Sequence, residues 1–251
     1  MTAKKHQNKS HSRRVPWAML IFFSLTLMAI ATAIYLFRFR ENTLLTQSPY
    51  TFGIDVSHYQ GEIDWDDVKE SHHPIEFVFV RATMGKDGKD NYFDTNFQEA
   101  KDKGYVTGAY HYYRPNEDAE KQFENFNKTI ALDSGDLLPV LDIEEIGSIS
   151  IDSLRKSLQT WLRLAEEDLG VKPIIYTGRT FYFNYLKGHF DDYPLWIASY
   201  SEKHKIEGID WVFHQFTDKV RVNGIEYRVD GNDFNGSLDE LKSMYILTQG
   251  I

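Results

Sequence analysis

The feature that most constrains the fold is an alternation, from residue 51 onward, of short β-forming runs with amphipathic helical segments. Several of the runs are apolar on both faces, which is typical of strands covered on both sides. The runs are "FGIDV" (52–56), "FVFVRAT" (77–83), "VTGAYHYY" (106–113), "LLPVLDIE" (137–144), "PIIYTG" (173–178), "PLWIASY" (194–200), "WVFHQF" (211–216) and "EYRVD" (226–230). About eight strands alternating with helices in roughly 200 residues predict a mainly parallel sheet closed, or nearly closed, into a β/α barrel.

Helices are predicted between these runs with unequal clarity. An apolar stripe from Ile151 to Leu169 is followed by Gly170, which is a typical end of a helix. Residues 179–188 and 237–245 are weaker candidates. The alternative fold is a doubly wound open sheet, which usually carries a dinucleotide fingerprint or a phosphate loop, and neither sequence occurs.

A segment of 21 residues without a charge, "WAMLIFFSLTLMAIATAIYLF" (17–37), precedes the alternating region. At about 1.5 Å per residue it is long enough to cross a hydrocarbon core of about 30 Å. Five Lys/Arg residues precede it and two follow it, so the positive-inside bias predicts a cytoplasmic N-terminus and an extracellular remainder on the wall side. A cleavable signal peptide is the alternative, because Ala31-Thr32-Ala33 resembles a cleavage site, but the apolar run continues beyond it. The predicted organisation is a cytoplasmic basic tail (1–16), a transmembrane helix (17–37), a linker (38–50) and a barrel domain (51–251).

Charge and composition exclude several functional classes. Residues 1–49 carry seven basic and one acidic side chain, whereas residues 50–251 carry 21 basic and 36 acidic ones. An acidic domain is a poor nucleic-acid binder, because phosphate contacts supply most of that affinity. The chain has no cysteine, no H-E-x-x-H and no G-x-S-x-G, so disulfides, a zinc hydrolase and a serine triad have no support. We expect no cofactor, although a Mg²⁺ site built from carboxylates stays chemically possible.

The candidate catalytic residues are acids at the ends of the predicted strands, where β/α barrels place their chemistry. Asp55 ends the first run, Asp142 and Glu144 end the fourth, and Asp230 ends the eighth. Asp142 and Glu144 are two apart on a strand, so their side chains share a face, with Cα atoms about 6.5 to 7 Å apart. Like charges at that separation raise the proton affinity of one member, and a protonated acid beside an ionised one suits general acid/base hydrolysis of a glycosidic bond. For Asp55 or Asp230 alone the alternative is a turn or cap residue, and Asp233 is assigned to a turn.

Aromatic side chains cluster on the same strand ends. Tyr112, Tyr176, Trp196 and Tyr200 are predicted to line a substrate site, because flat rings stack against the apolar faces of sugars. The alternative is that these rings belong to the core or the barrel wall. Arg81 either pairs with an acid at the site or lies solvated at the barrel rim.

Seven blocks of this sequence resemble, in order and approximate spacing, those of glycoside hydrolase family 25, the muramidases of the Chalaropsis lysozyme type. The blocks are "FGIDVSHYQGEIDWDDVK", "FVFVRAT", "GAYHYYRP", "LPVLDIE", "IIYTG", "LWIASY" and "VDGNDFNG", and the resemblance covers residues 51–247. It implies a modified β/α barrel with fewer helices than a regular (β/α)₈ barrel, and hydrolysis of the β-1,4 bond between N-acetylmuramic acid and N-acetylglucosamine in peptidoglycan. It also implies that Glu144 is the general acid/base and that Asp142 orients or stabilises the substrate N-acetyl group or the intermediate. Asp55 and Asp230 would complete the acidic floor of the substrate groove.

Two positions depart from the pattern of the family. Met84 follows "RAT" where members commonly have an acid, and Gly231 follows "VD" where they have a hydrophobic residue. The first departure would alter sugar contacts, and the second would change only the loop after the strand. The leading hypothesis is a membrane-anchored muramidase whose partners are peptidoglycan strands and, through residues 17–37, the cytoplasmic membrane. The alternatives are a weakly catalytic barrel that binds wall glycans and scaffolds envelope proteins, and a metal-dependent hydrolase on the same barrel.

Overall fold

The computed structural model describes residues 17–46, 49–200 and 206–246. The chain divides into two compact units, the first of which ends at Thr46. The described residues of that unit form one helix, α1 (Trp17–Thr46). Its stretch Met19–Leu36 is apolar, long enough to cross a membrane and not buried. A signal sequence meets the same test. The helix continues into the predicted linker, and Pro49 is the first residue after it that opposes helix formation.

The described part of the second unit contains nine strands, with helices between many of them. The strands are β1 (Thr51–Val56), β2 (Phe77–Met84), β3 (Gly88–Lys89), β4 (Val106–Tyr112), β5 (Val140–Asp142), β6 (Ile174–Gly178), β7 (Leu195–Ala198), β8 (Phe213–Val220) and β9 (Val229–Phe234). The helices are α2 (Trp65–Lys69), α3 (Phe93–Asp102), α4 (Ala119–Asn127), α5 (Ile151–Leu169), α6 (Arg179–Phe181), which continues as a π-helical turn (Tyr182–Leu186), and α7 (Leu238–Leu241). Single helical turns also form at His58–Gln60 and Lys242–Met244.

Eight of the strands close into a ring in the order β1, β2, β4, β5, β6, β7, β8, β9, and β9 pairs with β1. The strand β3 lies outside the ring as a hairpin partner of β2. Neighbours are parallel from β1 round to β8, whereas β9 is antiparallel to both β8 and β1. The predicted parallel-rich β/α barrel is therefore confirmed, with fewer than eight helices in the described part of this unit.

The last strand differs from its prediction. The prediction ended the strand at Asp230 and assigned Asp233 to a turn, but β9 begins at Val229 and runs through Asp233, which is buried and pairs in register with Phe52 and His214. Gly231 has a low intrinsic preference for strands, and pairing on both sides overrides it. Because β9 is antiparallel, its N-terminal end, with Asp230, lies beside the C-terminal ends of the other strands.

Aromatic rings fill the interior of the barrel. Phe79 and Trp196 stack with centroids 4.6 Å apart, and Phe77 packs edge-on against Phe79 at 5.8 Å. Glycine is required opposite these rings, because a Cβ at Gly53 would lie 2.4 Å from the Phe77 ring and one at Gly108 would lie 2.5 Å from the Phe79 ring. The packed interior forms the base on which the polar groups at the C-terminal end of the strands are arranged.

The strongest helix prediction is also confirmed. α5 spans Ile151–Leu169, its N-terminal Ser150 accepts a hydrogen bond from the Ser153 N–H, and Gly170 ends it with φ of 70°. Its buried stripe contains the large side chains Leu158 and Trp161. Such a stripe, which covers about a third of the helix surface, is stabilised by packing against the barrel.

Candidate active site

A pocket at the C-terminal end of the strands contains all four acids predicted from the sequence. Asp55, Asp142, Glu144 and Asp230 line it together. The other side chains that line it are Val56, Ser57, Tyr59, Gln60, Arg81, Tyr110, Tyr112, Tyr176, Trp196 and Gln215. The barrel register explains the convergence, since Asp55 on β1 is directly opposite Asp230 on β9.

Asp142 is the last residue of β5 and lies between Tyr112 on β4 and Tyr176 on β6. The Tyr113 N–H donates to the Asp142 carbonyl at 2.8 Å, and the Ile143 N–H donates to the Tyr176 carbonyl at 3.0 Å. These bonds keep the chain extended beyond the end of the strand. Glu144 therefore emerges on the same side as Asp142, as the two-residue spacing predicts, although it lies outside the strand itself.

The Asp142–Glu144 pair is electrostatically coupled. Burial raises the pKa of Asp142 well above its usual value, and the nearby Glu144 charge raises it further. The pKa of Glu144 is also raised, first by desolvation and then by the Asp55 charge, while its hydrogen bond with Asp142 acts in the opposite direction. The protonated form is therefore favoured more strongly at Asp142, which is buried, than at Glu144, which is exposed at the pocket mouth.

One oxygen of this pair lacks a hydrogen bond. Asp142 Oδ1 is buried and has no hydrogen-bond partner in the part of the chain that the structure describes. An acceptor left in this condition costs free energy, because its contacts with water are lost and nothing replaces them. The atom borders the pocket, so a donor on a bound molecule would satisfy it.

Asp55 and Asp230 form a second coupled pair. Burial raises the pKa of Asp55 to about 6, although side-chain hydrogen bonds act against that shift. Burial, followed by the Asp55 charge, raises the pKa of Asp230 to about 8. At neutral pH Asp230 is protonated, and its hydroxyl donates a hydrogen bond to the Asp55 carboxylate.

Two amides hold Asp55 in its ionised form. Asp55 Oδ2 accepts hydrogen bonds from Gln215 Nε2 at 2.9 Å and from Asn232 Nδ2 at 2.8 Å. Gln215 Oε1 in turn accepts from the hydroxyls of Tyr176 at 2.9 Å and Tyr200 at 2.7 Å. Because both hydroxyls donate to the amide oxygen, the amide nitrogen must face Asp55.

Asn232 is oriented in the same manner, since its Oδ1 accepts from Trp196 Nε1 at 2.9 Å. The prediction named neither Gln215 nor Asn232. Two signals pointed to them: Gln215 is a polar residue two positions after the core residue Phe213, and Asn232 is two positions after Asp230. Alternation along a strand places each pair on one face.

The four predicted aromatic residues occupy different environments. Tyr112 is half-buried, and Tyr176 and Trp196 are buried; all three line the pocket. Tyr200 is 55% exposed and reaches the site through its bond to Gln215. Burial, then the charges of Glu144 and Asp142, raises the pKa of Tyr112 to about 12, so its hydroxyl remains a hydrogen-bond donor at neutral pH.

Arg81 is buried and lines the pocket, so it is not a solvated rim residue. It pairs with Asp90, an acid that the prediction did not name, through Nε at 3.0 Å and Nη2 at 2.9 Å to the same oxygen. Nη2 also contacts His58 Nδ1. Asp90 follows the short β3 hairpin, which contains no clear strand signal in the sequence.

The described residues contain no group of three or more His, Asp or Glu side chains arranged to hold a metal ion. The four acids of the pocket are instead arranged as two hydrogen-bonded pairs.

Comparison with known proteins gives consistent matches. Residues 54–225 match the family model described as "Glycosyl hydrolases family 25". Escherichia coli K12 YegX is 38% identical over 230 residues, covering 88% of this chain and 85% of YegX, and Streptomyces globisporus lysozyme M1 is 31% identical over 209 residues, covering 76% and 70%. The structure of a family 25 glycosyl hydrolase from Bacillus anthracis is similar, with a TM-score of 0.72 and 28% identity over 79% of this chain and 94% of that one. The family match includes Asp55, Asp142 and Glu144 and ends before Asp230.

Proposed function

Because the chain belongs to glycosyl hydrolase family 25 and is therefore a glycosidase of the lysozyme type, we propose that it cleaves peptidoglycan between N-acetylmuramic acid and N-acetylglucosamine. The bond would be the β-1,4 linkage, and Asp142 and Glu144 would carry the reaction. The single observation that carries this proposal is the buried, unpartnered Oδ1 of Asp142 beside Glu144 in an open pocket.

Glu144 is the proposed general acid. It lies at the exposed mouth of the pocket, where it can reach a glycosidic oxygen, and its pKa is raised above the ordinary range. A raised pKa brings a carboxyl group closer to the value at which it can both hold and release a proton near neutral pH. Proton transfer from Glu144 to the leaving oxygen would accompany cleavage of the bond to the anomeric carbon. Water would supply the new oxygen at that carbon, either directly or after attack by the oxygen of the substrate N-acetyl group, and would release a proton to a carboxylate of the pocket.

Substrate binding would shift the proton from Asp142 to Glu144, the proposed general acid. In the free protein, burial and the nearby Glu144 charge favour the protonated form of Asp142. An acetamido N–H donated to Asp142 Oδ1 would favour the ionised form of Asp142, because a hydrogen bond to a carboxylate lowers its pKa. The proton would then move to Glu144, and ionised Asp142 would hold the N-acetyl group in position.

Asp55 and Asp230 would stabilise the positive charge that develops on the sugar ring in the transition state. Asp55 is suited to this role because two amides keep its carboxylate fixed and ionised. A fixed charge requires little reorganisation during the reaction, which is the main source of electrostatic stabilisation in enzymes. Asp230 would modulate that charge through the proton it shares with Asp55.

The proposed sugar contacts are Tyr112, Tyr176, Trp196, Tyr200 and Arg81. Tyr112 offers a protonated hydroxyl, and Tyr200 offers an exposed ring. Trp196 and Tyr176 form the floor of the pocket, where their polar atoms also orient the amides behind Asp55. Arg81 contributes a positive charge that faces an otherwise acidic pocket.

We further propose that α1 anchors the enzyme in the cytoplasmic membrane, with the N-terminus inside and the barrel on the wall side. The length and apolar character of Met19–Leu36 and the basic residues before it support this topology. Sequencing the N-terminus of the mature protein from a membrane fraction tests it. An intact start supports an anchor, whereas a start after Ala33 would show that the segment is a cleaved signal peptide.

The reaction is tested with the purified full chain in detergent, incubated with peptidoglycan, by mass spectrometry of the released fragments. Fragments that end in reducing N-acetylmuramic acid are expected. Glu144→Gln should lower turnover by at least about 10²-fold, as loss of a general acid does. Glu145→Gln is the matched control, because it removes the neighbouring exposed acid, and it should retain activity within a few-fold.

Two results would contradict the proposal. Reducing N-acetylglucosamine ends would show that the other linkage is cut. Turnover that is equal in the wild type and in Glu144→Gln would remove Glu144 from the reaction.

A further inference from the structure

Tyr59 is an aromatic residue of the pocket that the mechanism above does not use. It is 71% exposed, which is the largest exposure of any large hydrophobic residue described in the barrel unit. It nevertheless lines the pocket that contains the four acids. An exposed ring beside a polar groove has apolar surface available for a ligand.

The backbone that carries Tyr59 is fixed. The turn His58–Gln60 begins with a reciprocal cap in which Ser57 and Gln60 bond each other's backbone N–H groups, and it ends at Gly61 with φ of 69°. Gln60 Nε2 also donates to the Arg228 carbonyl at 3.0 Å, which ties the turn to the segment before β9. A fixed exposed ring loses little conformational entropy when a ligand covers it.

The side chains around Tyr59 are also fixed. The His58 ring lies 4.1 Å from the Tyr59 ring, and the Arg81 guanidinium lies 5.6 Å from it. Arg81 is fixed in turn by Asp90, whose Oδ2 also accepts from the His58 N–H at 2.8 Å. The ring is therefore supported by a buried charged cluster while most of its surface faces solvent.

The position of Tyr59 in the ring of strands is complementary to that of Tyr200. Tyr59 follows β1 and Tyr200 follows β7, and Glu144 follows β5, which lies between them in the order β1, β2, β4, β5, β6, β7. Among the described residues, these two tyrosines are the exposed aromatic residues that contact the pocket or its hydrogen-bond network. In this order they stand on either side of β5, the strand that leads to Asp142 and Glu144.

We propose that Tyr59 is a sugar-stacking platform that holds the glycan strand on one side of the cleaved bond, opposite Tyr200. The inference rests on the proposed function, because it takes the occupant of the groove to be a polysaccharide. The ring would contact the apolar face of a pyranose, and its hydroxyl would not be required. Tyr59 would therefore determine affinity for long strands rather than the rate of bond cleavage.

The experiment compares Tyr59→Ala, Tyr59→Phe and Tyr227→Ala in the full chain in detergent. Tyr227 is 55% exposed and does not line the pocket, so it controls for the loss of an exposed tyrosine. Tyr59→Ala should raise KM for long peptidoglycan strands about tenfold, as expected for the loss of a stacked ring, with kcat changed less than twofold. Tyr59→Phe should recover most of the affinity, and Tyr227→Ala should match the wild type.

A binding arm separates this proposal from the proposed function. In the Glu144→Gln background, sedimentation with insoluble peptidoglycan measures affinity without turnover, and Tyr59→Ala should weaken binding about tenfold. If the wild type releases no fragments but Tyr59→Ala still weakens binding, the role of Tyr59 in binding is supported and the muramidase assignment is wrong. Unchanged binding in Tyr59→Ala would overturn the platform, as would a fall in kcat with constant KM. A Tyr59→Phe variant as weak as Tyr59→Ala would show that the hydroxyl, not the ring, makes the contact.

Discussion

Two buried aspartates at the same end of the barrel have opposite surroundings. Asp90 is fully satisfied: Oδ2 accepts from Arg81 and from the His58 N–H, and Oδ1 accepts from the Tyr92 N–H. Asp142 is equally buried, but its Oδ1 has no partner within the described segments. Burial of an acid therefore does not by itself indicate a functional group. The difference lies in whether the surrounding residues satisfy the buried oxygens or leave one open to a ligand.

The same difference separates stability from function in this barrel. A buried ion pair with complete hydrogen bonds stabilises the fold relative to a state in which one partner is missing. A buried carboxyl whose pKa is raised destabilises the fold at neutral pH, because the unfolded chain releases its proton more readily. We expect substitution of Asp90, which binds Arg81 and His58, to reduce stability. We expect substitutions in the pairs Asp142–Glu144 and Asp55–Asp230 to reduce activity.

The largest effect on stability is expected for Asp90→Asn. This change leaves the Arg81 guanidinium buried without a counter-charge and should lower the free energy of unfolding by about 3 to 5 kcal/mol. Urea denaturation at pH 7 measures the change. Glu167→Gln, which breaks the exposed pair with Arg163, is the control and should cost no more than about 0.5 kcal/mol. An equal, small cost for both substitutions would contradict the claim that Asp90 is structural.

Asp142→Asn should give the opposite result. Turnover should fall about 10²-fold, because the amide cannot take the ionised state that would hold the substrate N–H. The melting temperature at pH 7 should rise, because a buried group with a strongly raised pKa is replaced by a neutral one. Fragment release and a thermal melt of the same preparation check the two effects. A variant that is less stable than the wild type would show that Asp142 is held as firmly as Asp90.

Asp230→Asn should stabilise the protein by an amount that depends on pH. The folded pKa of Asp230, about 8, lies above its unfolded value of 3.8, so the folded state binds more protons between these values. Wild-type stability should therefore fall as pH rises from about 4 to about 8. The variant lacks this loss, so its advantage should be small at pH 4 and about 4 kcal/mol at pH 7. Denaturation midpoints across this range measure it, and a constant difference would contradict the shift.

The sequence predicts the four acids of the pocket better than the side chains that hold the pocket residues in place, such as Gln215, Asn232 and Asp90, and the reason is physical. The two-residue spacing of Asp142 and Glu144 predicts that their side chains share a face, and this holds although Glu144 lies beyond the end of the strand. Asp230 was identified at a strand end, but the direction of β9 depends on the path of the whole chain, so the predicted boundary was wrong and Asp233 was placed in a turn. The Arg81–Asp90 pair joins two elements through a short hairpin, and no periodic pattern indicates such a contact.

The aromatic residues illustrate the same limit. Trp196, predicted to contact a sugar, lines the pocket, but its ring also stacks on Phe79 in the core and its N–H orients Asn232. Tyr59, which offers more surface than any of the four predicted rings, was not named because exposure follows from tertiary packing. Residue type and spacing indicate which side chains share a face, but not how deeply each one is covered.

The smallest effect is expected for the hydroxyls that orient Gln215, the amide that binds Asp55. Tyr176 and Tyr200 both donate to Gln215 Oε1, so Tyr200→Phe leaves the amide with one donor and its nitrogen still facing Asp55. We expect kcat to fall about two- to tenfold, since one hydrogen bond of this kind contributes roughly 0.5 to 1.5 kcal/mol. The double variant Tyr176→Phe/Tyr200→Phe should lose more activity than the product of the single losses, because the amide is then free to turn. Strictly multiplicative losses would show that the two hydroxyls act independently and that Gln215 is oriented by other contacts.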